Sequence, residues 1–139
     1  MKLTFTKARL DAGAPAPPFT FWLGPVGTID VDIGGQLFYR EEEFPLVELA
    51  ISLEDWLQSG RGDFTFVSIE SDDQPIFWAR DEHDGWHLGA VDQLFDDLVP
   101  HDRSELELAF VGYVEAADAW ARAELGVSLA DVRASLRGH

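Results

Sequence analysis

Alternation of apolar and polar positions predicts β-strands over much of the first 40 residues and again between residues 64 and 91. The clearest case is TIDVDI (28–33), where every second residue from Ile29 is apolar. Gly34-Gly35 then supplies a two-residue turn that tolerates positive φ angles, so QLFYR (36–40) is expected to return antiparallel. The other predicted strands are 3–10, 19–23, 64–69, 75–80 and 86–91.

Apolar residues that recur every 3.6 positions predict two main helices. The first, over 45–58, carries Glu48 on the side expected to face solvent. The second, over 104–125, begins with the S-x-x-E pattern of a capping box at Ser104. A short helix is predicted over 128–136, at the C-terminal end of the chain.

Together these elements predict a single α+β domain over residues 1–139. We expect an antiparallel sheet of about six strands, with the two main helices packed on one face and a short C-terminal helix. A length of 139 residues is typical of one domain, and a hydrophobic content of 46% is ample for a packed core.

The charge of the chain is strongly unbalanced, with a formal net value of −16. Between Glu41 and Asp102 there are 17 acidic residues against only Arg61 and Arg80, whereas the rest of the chain holds 9 acidic and 8 basic residues. A field of this sign repels nucleic acid and anionic membranes and speeds the arrival of a basic partner. The alternative is that the acidity only keeps the protein soluble.

The compartment is predicted from what the chain lacks. It has no cysteine, which excludes disulfides, thiolate metal ligands and a cysteine nucleophile. Lys7 and Arg9 interrupt the start of the chain where a signal peptide needs an apolar stretch, and no apolar run approaches the ~18 residues of a membrane helix. We therefore expect a cytoplasmic protein with no membrane partner.

The segment DEHDGWHLG (81–89) offers the side chains of a metal site or an acid/base centre, in His83, His87, Asp81 and Asp84. We predict instead a hairpin with its turn at Asp84-Gly85, Trp86 as a core anchor, and carboxylates that splay into water. On this interpretation there are no catalytic residues, no metal and no cofactor. A small metal- or carboxylate-dependent enzyme that uses the His83/His87 region is the alternative.

Aromatic residues on the second face of the predicted sheet suggest a binding surface. Trp22 and Phe77 are expected to project away from the helices, and of the neighbours Phe77 and Trp78 one must leave the core. Either everything on this face is covered, or an aromatic patch is exposed and surrounded by carboxylates, as in protein-binding hot spots. The predicted acidic rim consists of Glu41, Glu42, Glu43, Asp72, Asp73, Asp81, Glu82, Asp84, Asp96 and Asp97.

The stretches FPLVELAISLEDWL (44–57) and DGWHLGAV (84–91) resemble those of small bacterial proteins of the immunity-protein kind. Those proteins are cytoplasmic inhibitors made beside polymorphic toxins, and the likeness extends over about residues 19–125. The resemblance implies a stoichiometric binder that blocks the active site of a toxin, and it assigns no site residues.

The expected function is therefore an acidic protein-binding module, most concretely an immunity-type inhibitor of a basic partner such as a nuclease toxin. A structural or regulatory subunit is a further alternative.

Overall fold

The computed structural model describes residues 1–69 and 74–137, which form two antiparallel three-stranded sheets and four helices. The first sheet has the order β1 (Lys2–Leu10), β2 (Pro25–Ile33), β3 (Gln36–Pro45). The second has the order β4 (Phe64–Phe66), β5 (Phe77–Glu82), β6 (Gly85–Ala90). The helices are α1 (Thr20–Leu23), α2 (Leu46–Ser59), α3 (Arg103–Glu124) and α4 (Leu129–Leu136).

The predicted α+β class is confirmed, and so is the hairpin between β2 and β3. Gly34 and Gly35 have φ angles of 59° and 80°, as a tight turn of this hand requires. Ile29 and Val31 are fully buried, and they alternate with half-buried polar residues along β2. The period-2 pattern of TIDVDI is therefore the pattern of a strand with one face on the core.

The prediction of one six-stranded sheet is wrong, because the strands divide into two sheets of three. The far edge of β3 does not pair with β4. Instead it receives the loop after β6, where the Leu94 N–H donates to the Phe38 carbonyl at 2.8 Å. Both sheets pack against the pair formed by α2 and α3, since α2 contacts β2 and β4 while α3 contacts β1 and β6.

Residues 19–23, predicted as a strand, contain the helical turn α1 instead. The Leu23 N–H donates to the Phe19 carbonyl and the Gly24 N–H donates to the Thr20 carbonyl, both at 2.9 Å. The place beside β2 that this segment was expected to fill belongs to β1, which pairs with β2 through Leu3 and Val31.

The predicted capping box of the long helix is also wrong. Asp102, with extended backbone angles, is the N-cap of α3, and the Leu106 N–H donates to its carbonyl at 3.2 Å. Ser104 therefore lies inside the first turn of the helix. The short helix α4, by contrast, begins at a complete capping box between Ser128 and Asp131.

Glu48 does not face solvent as expected. It is buried, and its carboxylate accepts hydrogen bonds from the Ser68 hydroxyl at 2.6 Å and the Ile69 N–H at 2.8 Å. These donors come from the chain just after β4, so the acid ties α2 to that segment. The burial of the carboxylate is tolerated because both of its oxygens have partners.

Aromatic rings fill the core where the second sheet meets α2 and α3. The Phe110 ring of α3 lies 5.6 Å from the Trp56 ring and 5.4 Å from the Phe64 ring, measured between centroids. Trp86 lies 5.5 Å from Trp56 and is only 6% exposed, so the expected role of Trp86 as a core anchor is confirmed. All three pairs are edge-to-face, the geometry that aromatic quadrupoles favour.

None of the helices among the described residues combines the length and the apolar character that a membrane span requires.

Phe110→Ala is expected to lower the free energy of unfolding by about 3–5 kcal/mol, because it opens a cavity at the centre of this ring cluster. Chemical denaturation monitored by circular dichroism measures the loss. The matched control is Leu108→Ala, two residues earlier on α3 and 75% exposed, which should change stability by no more than about 0.5 kcal/mol. Equal losses in the two variants would contradict this description of the core.

Candidate functional site

The β5–β6 hairpin separates a core face from an outward face. Phe77 and Ala79 are completely buried, whereas Trp78 between them points away from the core. The expectation that Phe77 belongs to an exposed patch is therefore wrong, and Trp78 is the residue that leaves the core. The turn lies at His83-Asp84, one residue earlier than predicted, since Glu82 pairs with Gly85.

Trp78 rests directly on the backbone of β6. A Cβ atom added to Gly89 would lie 2.0 Å from the Trp78 Nε1, so the indole occupies the space that a side chain would fill. The Arg80 guanidinium lies 5.1 Å from the centroid of the same ring, within range of a cation–π contact. The indole is thus held flat against the sheet, with a cation already beside it.

A cavity of about 400 Å³ lies next to Trp78 on this outward face. Leu98 also lines it and is 80% exposed. The cavity brings together four residues of the predicted acidic rim: Glu82, Asp84, Asp96 and Asp97. His87 lies among them. We call the group formed by Trp78, Glu82, Asp84, His87, Asp96 and Leu98 the Trp78 surface.

His87 connects the turn of the hairpin with the loop after β6. Its Nδ1 donates to the Asp97 backbone carbonyl at 2.6 Å, and its Nε2 lies 2.7 Å from the Asp84 Oδ1. The hydrogen bond with Asp84, together with the one to Asp97, raises the pKa of His87 above its ordinary 6.5. The same contact with His87 lowers the pKa of Asp84 below its ordinary 3.8. The contact therefore favours the protonated imidazole and the ionised carboxylate.

Asp97 is not part of an exposed rim, contrary to the prediction. It is 8% exposed, and its carboxylate accepts the Leu88 N–H at 2.8 Å. The same carboxylate lies 2.9 Å from the Nε2 of the buried His101, whose Nδ1 lies 2.7 Å from Glu105. Burial follows from these partners, because a carboxylate enters a protein interior when its oxygens are satisfied.

The four side chains weighed as a metal site do not come together as a set. Glu82, Asp84 and His87 each offer a ligand atom, and these atoms lie within 4.8 Å of one another. His83 is not part of this group and is exposed in the turn. Asp81 pairs with Trp86 across the hairpin, so its side chain lies on the same face as Trp86 and opposite to that of Glu82. It is nevertheless exposed, because this end of the hairpin extends beyond the core.

Glu41, Glu42 and Glu43 line a second cavity, also of about 400 Å³. Glu43 is paired with Arg9 at 2.6 Å, whereas Asp92 from the loop after β6 adds a further carboxylate. Asp92 is followed directly by Gln93, which lines the cavity beside Trp78, so the two acidic cavities border the same stretch of chain. Asp72 and Asp73 fall outside the described residues.

Trp22 is not on the Trp78 surface. It lies half-buried in α1 and lines a separate cavity beside the α2 residues Glu48 and Asp55. The two aromatic residues singled out from the sequence thus have other positions, one in the core and one beside α2.

Most arginines of the chain neutralise carboxylates elsewhere. The pairs are Arg9 with Asp11 and Glu43, Arg40 with Asp30, Arg103 with Glu107, Arg122 with Asp118, and Arg133 with Glu54 and Asp55. Over residues 1–69 and 74–137, no lysine or arginine pairs with Glu82, Asp84 or Asp96. The negative charges of Glu82 and Asp96 are therefore available to an external cation.

Sequence reasoning missed the role of His101. The sequence pattern that could have indicated this role is the i, i+4 spacing of Asp97, His101 and Glu105. In the structure the imidazole of His101 lies between the two carboxylates.

The fold and this cavity define a small acidic α+β protein whose outward hairpin face combines an indole, an imidazole and carboxylates that pair with no lysine or arginine of the described residues. The chain belongs to the DUF7878 family, a domain of unknown function whose model matches residues 20–122. Comparison with curated proteins found no match, and comparison with solved structures found none either.

Asp84→Asn is expected to lower the pKa of His87 towards its ordinary value, because the amide cannot stabilise the protonated ring as a carboxylate does. An NMR titration of the His87 Cε1–H measures the change. Asp81→Asn is the matched control, since it removes one charge from the same hairpin without touching His87. Equal shifts in both variants would contradict the assigned hydrogen bond.

The same pair should make stability depend on pH. Because the pKa of His87 is raised in the folded state, its contribution is fully present below pH 6.5 and is lost as pH rises through the raised pKa. Because the pKa of Asp84 is lowered, its contribution is present above pH 3.8 and is lost as pH falls through the lowered pKa. The free energies of unfolding of the wild type and Asp84→Asn, measured in urea, should differ most between pH 3.8 and pH 6.5. They should converge as pH falls through the lowered pKa of Asp84 or rises through the raised pKa of His87.

Gly89→Ala is expected to displace the Trp78 indole and to cost about 1–3 kcal/mol of stability, because the new methyl group occupies the position of the ring. ¹⁹F NMR of the fluorotryptophan-labelled protein, assigned with Trp78→Phe, reports the movement. Gly112→Ala is the control, since a Cβ there meets nothing within 4 Å and α3 should gain stability. An unchanged Trp78 resonance in Gly89→Ala would refute the packing described here.

Proposed function

We propose that the protein is an acidic protein-binding module that uses the Trp78 surface to occlude a basic partner. The observation that carries the proposal is the set of carboxylates at this surface that no lysine or arginine of the described chain neutralises. Trp78 and Leu98 provide apolar contact area among these carboxylates. Apolar anchors surrounded by charge are typical of protein-binding hot spots, where the charge governs the association rate and selectivity.

The negative electrostatic field of the whole molecule also favours a cationic partner. The formal net charge is −16, and Glu41 and Glu42 at the neighbouring cavity extend the acidic region beyond the Trp78 surface. A cleft lined by lysine and arginine, such as the phosphate-binding cleft of a nuclease toxin, matches this surface because carboxylates can take the places of phosphates. An immunity-type inhibitor, as the sequence resemblance implies, is the most concrete form of the proposal.

The double variant Glu82→Gln/Asp96→Asn tests the proposal by charge removal. Affinity capture from the producing cells at low and high salt identifies basic partners, and stopped-flow mixing with the purified partner then measures the association rate, with a chelator present. We expect the variant to associate about tenfold more slowly at low salt and the difference to shrink at high salt, because screening removes electrostatic steering.

The matched control is Glu115→Gln/Glu124→Gln, which removes two charges from exposed positions of α3. It should associate at nearly the wild-type rate. If both double variants slow association equally, only net charge matters and the assignment of the Trp78 surface is wrong. If neither does, the acidic surface plays no part in binding.

A small metal- or carboxylate-dependent enzyme is the second candidate. The observation that favours it is the position of His87 beside two carboxylates in a cavity large enough for a small molecule. The raised pKa of His87 is the property expected of a general acid near neutral pH. Turnover of a small substrate that is abolished by His87→Gln and retained by His83→Gln would favour this candidate over the binding module.

A further inference from the structure

The turn of the β5–β6 hairpin holds three metal-ligating side chains within a few residues of one another. Glu82 ends β5, Asp84 lies in the turn and His87 points outward from β6. Their ligand atoms lie within 4.8 Å of one another. Two ligands bound to one ion at about 2.0–2.2 Å are separated by roughly 3–4.4 Å. Because both carboxylates are exposed and Asp84 already contacts His87, a small rotation of Glu82 and Asp84 brings the three groups to coordination distance.

The orientation of His87 is fixed from outside this group. A backbone carbonyl only accepts, so the Nδ1 must carry a hydrogen and donate it to the Asp97 carbonyl at 2.6 Å. In the neutral ring the electron pair therefore belongs to the Nε2, the nitrogen that lies 2.7 Å from the Asp84 Oδ1. Metal-ligating histidines almost always have such a second-nitrogen hydrogen bond to a carbonyl or carboxylate.

The group that orients the imidazole is itself rigid. The Asp97 carboxylate is held by the Leu88 N–H at 2.8 Å and by His101 at 2.9 Å, which limits the movement of the residue whose carbonyl accepts from His87. The His87 side chain is only 13% exposed, which limits its rotation. The Nε2 is therefore presented to the cavity in one direction before any ion arrives, a preorganisation that favours binding.

We infer that Glu82, Asp84 and His87 form a binding site for a divalent transition-metal ion, with the His87 Nε2 as its nitrogen ligand. One imidazole and two carboxylates suit Zn²⁺ or Mn²⁺ better than Ca²⁺ or Mg²⁺, which prefer oxygen ligands alone. The two carboxylates balance the double charge of the ion. Three protein ligands leave a coordination position for water, and the adjoining cavity of about 400 Å³ has room for it.

The inference does not depend on the proposed function, because the purified protein alone tests it. Metal-free, tag-free protein is titrated with Zn²⁺ by calorimetry, and Co²⁺ replaces Zn²⁺ for an absorption spectrum that reports nitrogen coordination. We expect one ion per chain, with affinity about 100-fold weaker in His87→Gln and at least tenfold weaker in Glu82→Gln and Asp84→Asn. Mg²⁺ in large excess should not displace Zn²⁺.

The controls separate this site from chance binding by other histidines. His83→Gln removes an imidazole from the same turn, and His139→Gln removes the one at the chain end, so both should bind as wild type does. Glu82 and Asp84 are exposed, so their variants should keep the wild-type circular dichroism spectrum. No Zn²⁺ binding up to millimolar concentration, or equal losses in His83→Gln and His87→Gln, would overturn the inference. Neither result would bear on partner binding, which is measured with a chelator present.

Discussion

Side-chain alternation along the β5–β6 hairpin is the constraint on which the rest of the structure depends. Phe77 and Trp86 are fixed on the inner face by the aromatic cluster around Phe110 and Trp56. Successive residues of a strand point to opposite faces, so Trp78 must lie outside. A shift by one residue would expose Phe77 and turn the acidic face inward, which the core does not tolerate. The outward surface is thus a consequence of core packing.

The buried carboxylates of this protein are hydrogen-bonded, whereas some exposed ones on the Trp78 surface have no lysine or arginine partner among the described residues. Asp97 and Glu48 are buried, and each accepts hydrogen bonds that join separate elements. In the described residues no buried side-chain nitrogen or oxygen lacks a partner. Glu82 and Asp96, in contrast, carry charges that no basic residue of the described ranges 1–69 and 74–137 pairs with. The interior acids stabilise the scaffold, and the exterior acids are available for recognition.

Local patterns predicted the elements better than their arrangement. TIDVDI, Gly34-Gly35 and the two main helices followed from periodicity, because each is long or has specific turn chemistry. The five residues 19–23 were too short to distinguish a period of 2 from one of 3.6, and the partners of Asp97 are distant backbone groups and side chains that no local pattern reveals. The sequence required either Phe77 or Trp78 to leave the core, and contacts with Phe110 decided which.

Carboxylates without a lysine or arginine partner among the described residues make the Trp78 surface the place on the molecule that should attract a cation most strongly. Residue-by-residue electrostatic potentials, obtained by NMR from paramagnetic cosolutes of opposite charge, measure this without any partner. We expect the most negative potentials at the amides around Glu82, Asp84 and Asp96, clearly beyond those on the exposed face of α3. Equally negative potentials all around the molecule would contradict it.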